Sequence, residues 1–264
     1  MVVVMLHWGS YRLPVDVEIV RRKDQSHSRS ENRLFRWMLV RLRRPAWAEM
    51  VVVGADAALA STANLQLIQR RGYFFVMALA RTWCFENGQA LKDLVTHWPK
   101  KHYQRCWVPL DEPGRRRTYW TYTKRACLRH IGDVTMILSK QRRHDGPKQP
   151  KILVTNLPDV RARQVVDVYR RRWSVELLIK ELKGATGLGQ HQVTKDPQRV
   201  ERSVAMAVMA YLTIVKFRAK DIAEQGAWSL FTLKQNFTWE LAQGQLERAA
   251  DQRLRKVLQQ RKAA

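Results

Sequence analysis

The chain has few cysteines, few acidic residues and no long hydrophobic run. Its three cysteines, Cys84, Cys106 and Cys127, are an odd number without a close pair. We therefore expect neither a disulfide framework nor a cysteine zinc knuckle, and a reducing compartment is the natural one. The apolar run Val204–Val215 is too short to cross a bilayer and predicts a buried helix. The opening MVVVML is too short for a signal peptide, so we expect no membrane partner.

Positive charge dominates what is present. There are 48 Lys and Arg residues against 23 Asp and Glu, which gives a formal net charge of +25. Such an excess predicts a polyanionic partner, because each phosphate that the protein neutralises releases counterions and adds affinity independent of sequence. A membrane surface would attract the same charge, but the arginines are spread along the whole chain rather than gathered on one amphipathic segment. Nucleic acid is therefore the expected partner.

The beginning of the chain predicts a sheet. Residues 2–6 and 13–20 have the pattern of an antiparallel hairpin joined at Gly9–Ser10, with Leu13, Val15, Val17 and Ile19 on its buried face. The run Val51–Val53 is typical of a strand buried on both faces. A helix at 61–70 and a strand at 73–79 follow it, and this order predicts parallel strands joined by a crossover helix.

The remaining residues predict an insertion and a helical tail. Short strands with basic turns are expected around Arg115–Arg117, Tyr119–Tyr122 and Thr135–Leu138, and helices at 197–219 and from about 239 to 260. At 264 residues, we expect an α/β fold whose core is split by a β-rich insertion. The predicted parts are a first core segment, the insertion, a second core segment and the tail, at residues 1–79, 80–150, 151–219 and 220–264.

The segment YRRRWSVELLIKELK, Tyr169–Lys183, is the stretch of the chain that is most informative about function. If it forms one α-helix, Tyr169, Arg172, Glu176 and Lys183 share an arc of roughly 60°. A carboxylate flanked by cations on one helical face suits a metal ion held beside a phosphate backbone. The same spacing is also that of a basic amphipathic helix with an ordinary Glu–Arg pair, so the residues alone leave both interpretations open.

The spacing Y-x2-R-x3-E-x6-K in this segment resembles the signature of bacterial insertion-sequence DDE transposases, specifically the insertion-sequence-four group. The stretch VVVGADAALASTANLQLIQRRGYFFVMAL, residues 51–79, is similar to the part of that group in which the second catalytic Asp follows a buried strand. The phrase KILVTNLPD, residues 151–159, is similar to the strand that precedes the catalytic Glu helix. Several segments in the right order make a chance match improbable.

The resemblance implies a ribonuclease H-like core in which two Asp and one Glu hold two Mg²⁺ (or Mn²⁺) ions for phosphoryl transfer on DNA. Asp56 matches the second carboxylate and Glu176 the third, while Tyr169, Arg172 and Lys183 would contact phosphates of the transposon end. Such enzymes cut at the element's ends and join the freed strand to target DNA. A homodimer assembled on DNA, in the bacterial cytoplasm and nucleoid, is expected. Outside this context, Asp56 would be a turn or helix-cap residue.

The chain departs from the family pattern at its start. The family places its first catalytic Asp on a central strand before the hairpin, but here the hairpin begins at residue 2. Asp16 lies on the later hairpin strand and is a poor substitute, and Leu59 stands where the family often has an aromatic residue. We therefore expect a copy that is truncated at its amino terminus, inactive in strand cleavage, and left with two unpaired strand edges.

Other interpretations remain open. A non-catalytic basic DNA-binding protein explains the charge, and so does an RNA-binding protein, although the latter does not explain the positions of Asp56 and Glu176. Trp107 and Trp120 could stack on an extruded base or fill a small core. Arg115–Arg117 could clamp a phosphate or form a solvated turn. A metal site at His97, His102 and Cys106 is less expected than structural roles, since no second pair lies at ligand spacing.

Overall fold

The computed structural model describes residues 1–21, 28–96, 102–110, 114–142, 150–189, 196–225 and 228–263. They fall into two compact units, Met1–Leu177 and Leu178–Ala264. The strands of the described chain all lie in the first unit, and the described part of the second unit is helical.

The first unit combines strands with helices. Its strands β1 to β8 are Val2–Trp8, Tyr11–Glu18, Val52–Ala55, Phe74–Leu79, Gln104–Pro109, Arg116–Leu128, Gly132–Lys140 and Lys151–Thr155. Its helices α1 to α4 are Glu31–Arg41, Thr62–Arg70, Leu91–Thr96 and Ala162–Arg171. Helix α5, Ser174–Ala185, begins in the first unit and ends in the second.

One large sheet organises this unit, in the strand order β3-β4-β8-β7-β6-β5. β3 and β4 are parallel and are connected through α2, so the predicted crossover unit is confirmed. Apolar side chains of α1 and α2 pack on one face of the sheet, among them Phe35 and Leu65. Val165 and Val166 of α4 pack on the opposite face. The predicted α/β class is therefore confirmed, with helices on both faces of the sheet.

The strands of residues 80–150 extend the same sheet. β7 pairs with β8 in a register that runs from Thr135↔Thr155 to Ser139↔Lys151, and β8 in turn pairs with β4. The prediction of short strands is wrong for β6, which is continuous from Arg116 to Leu128. β6 can be long because β5 pairs with its first part, residues 116–121, and β7 with its later part, residues 120–128, so each part has a partner strand.

The prediction that β3 is buried on both faces is wrong. Val52 and Val53 are half-buried and Gly54 is exposed. The physical reason is its position, because β3 forms the outer edge of the six-stranded sheet and pairs only with β4 within the described residues. An edge strand has one row of unpaired backbone groups and less cover than a central strand.

The hairpin forms a two-stranded sheet of its own, with the turn at Gly9–Ser10 as predicted. It packs on α1 through Val2, Leu34 and Met38. Val15 was predicted to face the core but is 47% exposed. The register explains the difference: Val4 pairs with Asp16 and Met5 with Pro14, so Val15 is the extra residue of a β-bulge and the alternation shifts there.

The prediction of one continuous helix from Tyr169 to Lys183 is also wrong. The chain turns between α4 and α5, where the N–H groups of Arg172, Trp173 and Val175 each donate to the carbonyl three residues earlier. This tighter pattern breaks the α-helical ladder. Tyr169 and Arg172 therefore lie at the end of α4, and Glu176 lies in the first turn of α5.

In the second unit, α5 is followed by α6 (Pro197–Phe217), α7 (Ala219–Gln225) and α8 (Leu230–Ala263). The predicted helix 197–219 thus ends two residues early, and α8 begins well before the predicted position 239. The apolar run within α6 is buried on one face only, because Met206 and Met209 are 71% and 67% exposed. α7 and α8 make up most of the described part of the tail, residues 220–264, so the predicted helical tail is confirmed.

Candidate functional site

An open cleft of about 480 Å³ lies at the end of the sheet where β3 and β4 finish and β8 begins. Its lining includes one carboxylate, Asp56, and the cations Arg81, Lys151 and Arg172, and Tyr169 lies next to the last two. These residues come from four separate segments of the chain, and the sheet topology gathers them. The cleft therefore has the strong positive charge that a phosphate ligand requires.

Asp56 follows β3 directly and lies in a tight turn. Its Oδ1 accepts a hydrogen bond of 3.1 Å from the N–H of Ala58, and its carbonyl oxygen accepts one of 3.3 Å from the N–H of Leu59. The turn role that the residue type alone predicts is therefore present. It does not compete with a second role, because one carboxylate oxygen in the turn still leaves the other available to a ligand in the cleft.

Glu176 is connected to the cleft by an ion pair with Arg172, which is one of the lining residues. Its Oε1 accepts a hydrogen bond of 2.9 Å from Nη1 of Arg172, and the two side chains are 42% and 21% exposed. This is the ordinary ion pair that the spacing predicted, across the turn between α4 and α5 rather than along one helix. Asp56, Tyr169 and Arg172 line the cleft together, and Glu176 contacts its wall. Lys183 lies on α5, within the second unit.

Two cleft residues were missed by the sequence interpretation. Arg81 comes just after β4, and Lys151 opens β8. Lys151 belongs to the KILVTNLPD stretch, from which only a strand was predicted. The missing signal was alternation: Leu153 belongs to the cluster that packs on α4, so Lys151, two residues earlier, has the same orientation.

Tyr169 lies close to two cations, Lys151 and Arg172. Nζ of Lys151 lies 3.4 Å from the Tyr169 hydroxyl oxygen and 5.0 Å from the centroid of its ring. The guanidinium carbon of Arg172 lies 5.7 Å from the same centroid. A cation over an aromatic ring is attracted by its π face, so Lys151 and Arg172 both favour the observed orientation of the Tyr169 ring. The ring is thereby fixed at the edge of the cleft.

The donor chemistry of Asp56 and Glu176 fits a hard divalent cation, which prefers carboxylate oxygens. Glu176 is engaged with Arg172, so a metal ion would share or displace that contact. Within the described ranges, no group of three His, Cys, Asp or Glu side chains is arranged to hold a metal ion. The other possible metal site comprised His97, His102 and Cys106. His97 lies outside the described residues, while Cys106 is buried and burial raises the pKa of its thiol.

The remaining candidates lie away from the cleft lining. Asp16 forms an ion pair with Arg41, with 2.7 Å between Oδ2 and Nη2. Trp120 packs partly buried against the core, while Trp107 is 49% exposed with Arg105 stacked 4.9 Å above its ring. Arg116 and Arg117 begin β6 and are exposed. No helix in the described part of the chain is both long and apolar enough to cross a membrane.

Comparison with known proteins gives one family. No curated protein matches the chain. The transposase DDE domain family, however, matches residues 8–213, which include the second hairpin strand, the large sheet and the helices that carry the cleft residues. This match covers more than half of the chain, and it runs from the hairpin through Asp56 and Glu176 into α6. The chain therefore belongs to the transposase DDE domain family.

Proposed function

We propose that this chain is a DNA transposase of the insertion-sequence-four group, which cuts at the ends of its element and joins the freed strand to target DNA. The observation that carries the proposal is the cleft in which Asp56, Tyr169 and Arg172 meet, with Glu176 bound to Arg172. Asp56 is far from Tyr169 and Arg172 in the sequence, yet all three line this cleft, which supports the proposal. Membership of the transposase DDE domain family supports the reaction class.

In this proposal, Asp56 and Glu176 are the carboxylates that hold Mg²⁺ or Mn²⁺. The ion would supply positive charge to the phosphoryl group that is transferred. Tyr169 and Arg172 bind DNA phosphates at the edge of the cleft, and Lys183 binds the DNA further along α5. Arg172 has two tasks, because it also orients the Glu176 carboxylate through their hydrogen bond.

The proposal includes a ribonuclease H-like core. The parallel β3–β4 pair, the crossover through α2 and the antiparallel hairpin support it, as does an Asp at the end of β3. The division into core, insertion and tail at 1–79, 80–150, 151–219 and 220–264 remains a prediction, as do assembly as a homodimer on DNA and a cytoplasmic, nucleoid-associated location.

We expect cleavage by residues 1–264 alone to be weak or absent. The hairpin forms a sheet separate from the six-stranded sheet, and β3 has a free outer edge within the described residues. A catalytic carboxylate at the end of β3 is positioned less rigidly at a free edge than beside a paired strand. Activity thus depends on whether a further strand, carrying the remaining carboxylate, pairs with β3.

A second candidate function is DNA binding without catalysis. The net charge of +25 favours it, since affinity for phosphates does not depend on a metal site. The two candidates differ in one property: a transposase site binds a divalent ion through Asp56 and Glu176 together, whereas a simple basic binding protein has no reason to do so.

The decisive experiment is Mn²⁺ binding, measured by electron paramagnetic resonance on the purified chain and three variants. Asp56→Asn and Glu176→Gln should each weaken Mn²⁺ binding at least tenfold, because each removes a charged oxygen ligand. Asp16→Asn is the matched control, since Asp16 is paired with Arg41 outside the cleft lining and should not affect binding. Equal Mn²⁺ affinity in all four proteins would reject the transposase site and leave non-catalytic DNA binding.

A further inference from the structure

Lys151 is a cation of the cleft to which nothing so far assigns a role. It is exposed, it lines the cleft, and its contacts are with Tyr169. Within the described chain, no carboxylate pairs with it. A lysine that a surface ion pair does not neutralise keeps its full charge for a ligand. The tyrosine contact therefore matters for what Lys151 can bind.

The sheet fixes the position of Lys151. Its backbone pairs with Ser139 of β7, and the next residue, Ile152, pairs with Leu79 of β4. β8 thus lies between two neighbours rather than at an edge. A side chain that starts from a central strand is positioned more reproducibly than one on a loop, so the cation is presented to the cleft in a defined place.

The contact with Lys151 also determines what the Tyr169 hydroxyl can do. An ammonium group only donates hydrogen bonds, so in the 3.4 Å contact the Tyr169 oxygen is the acceptor. The hydroxyl proton is then free to be donated to something else. Lys151 and Tyr169 together present two kinds of donor, an N–H and an O–H, in the same corner of the cleft. A phosphate oxygen, which only accepts hydrogen bonds, matches both.

We infer that Lys151 and Tyr169 bind one and the same phosphate of the DNA strand in the cleft. Lys151 supplies the charge and turns the Tyr169 hydroxyl outward as a donor, so it is both a DNA contact and a positioning residue. This inference rests on the proposed function, because it takes the ligand of the cleft to be DNA. Arg81 lines the same cleft without a contact to Tyr169, so it binds independently of this pair.

The test is a double-mutant cycle of DNA affinity against salt concentration, using duplex DNA and the full chain. Lys151→Met should weaken binding about eightfold at about 0.1 M salt and reduce the slope of log K against log salt by about 0.9, the effect of one phosphate contact. Lys151→Arg should restore most of the slope. Tyr169→Phe should weaken binding in the wild-type background but much less in Lys151→Met, because the hydroxyl is no longer oriented.

Arg81→Met is the control for the cycle. It should also weaken binding, but its effect should add to that of Tyr169→Phe without coupling. If the wild-type chain binds no DNA, both this inference and the proposed function fail. If the wild type binds and Lys151→Met keeps the same affinity and slope, only this inference fails. Additive effects of Lys151→Met and Tyr169→Phe would show that the two residues do not share a phosphate.

Discussion

The imidazole of His7 and the hydroxyl of Ser174 are 2.7 Å apart, between Nε2 and Oγ. His7 lies near the end of β1, and Ser174 is the first residue of α5. This contact joins the separate two-stranded sheet to the helix that carries Glu176. A polar contact between distant residues thus links the hairpin to the helix of the candidate catalytic carboxylate.

We expect the His7–Ser174 hydrogen bond to contribute about 1 kcal/mol to the free energy of unfolding. His7→Ala and Ser174→Ala should each lower the stability, and the double variant should lose less than the sum of the two because the shared bond is counted once. Thermal unfolding of the four proteins measures this coupling. A strictly additive double variant would mean that the contact is not formed in solution.

Two glycines of the second unit should respond to alanine in opposite directions. A Cβ on Gly184 would lie 2.6 Å from Cζ of Phe231, whereas a Cβ on Gly244 would meet nothing within 4 Å. Gly244→Ala in α8 should raise stability by about 0.5–1 kcal/mol, because alanine is the better helix former. Gly184→Ala in α5 should lower it by about 1 kcal/mol, because the ring of Phe231, which is 42% exposed, must shift to admit the methyl group. Chemical denaturation of both variants distinguishes the two sites, and a stabilised Gly184→Ala would contradict the close approach.

The buried Glu181 should stabilise the start of α8. Its side chain is 3% exposed, and Oε1 accepts a hydrogen bond of 3.3 Å from the N–H of Leu230. A carboxylate at a helix N-terminus is favoured by the unpaired N–H groups there. Glu181→Ala should lower the free energy of unfolding by about 2 kcal/mol, and Glu181→Gln should lose less because it keeps an acceptor oxygen.

Glu224→Ala is the control for Glu181. Glu224 is 65% exposed and its oxygen lies 3.9 Å from Nζ of Lys220, so its removal should change stability by less than about 0.5 kcal/mol. Denaturant midpoints of the three variants provide the comparison. The role of Glu181 as a cap would be refuted by a Glu181→Ala protein as stable as Glu224→Ala.

The stability of the first unit should fall at high pH because of Tyr103. Burial raises the pKa of Tyr103 from 10.0 to about 12. Between these values the unfolded chain has released the phenolic proton and the folded chain has kept it, so rising pH favours unfolding. This loss begins near the unfolded pKa and is complete above the folded one. Tyr103→Phe should remove that part of the pH dependence, which denaturation at about pH 9 and about pH 11 would measure. An unchanged pH dependence would show that another group is responsible.

The sequence was informative wherever a local pattern determines the structure. Alternation together with Gly9–Ser10 predicted the hairpin, and the strand–helix–strand order predicted the parallel pair of β3 and β4. The helix start at Ser61 was also predictable, since its side chain accepts from the N–H of Asn64 as a cap does. Arg172 was singled out by its spacing from Tyr169 and Glu176, and Asp56 by the resemblance of residues 51–79 to the transposase family; both line one cleft.

The errors arose where the structure depends on neighbours in space. The turn at Arg172 and Trp173 could not be predicted from periodicity, because the spacing of the polar residues in the sequence is equally that of one continuous helix. Only the structure shows the tighter hydrogen bonds that form the turn. Val15 was misplaced because a bulge depends on the register with the opposite strand. Lys151 was missed for a similar reason: alternation with Leu153 gives the face of β8 on which it lies, but its contact with Tyr169 depends on α4 packing on that face.

The continuous pairing of the six-stranded sheet has a consequence for how this unit opens. An unbroken ladder of backbone hydrogen bonds runs from β3 through β4, β8, β7 and β6 to β5. Separating any two neighbouring strands in the middle of this sheet would leave two rows of backbone amide groups without partners at once. Amide hydrogens of β4, β8 and β7 should therefore exchange with deuterium together and late, as one cooperative block, while those of the outer strands exchange earlier.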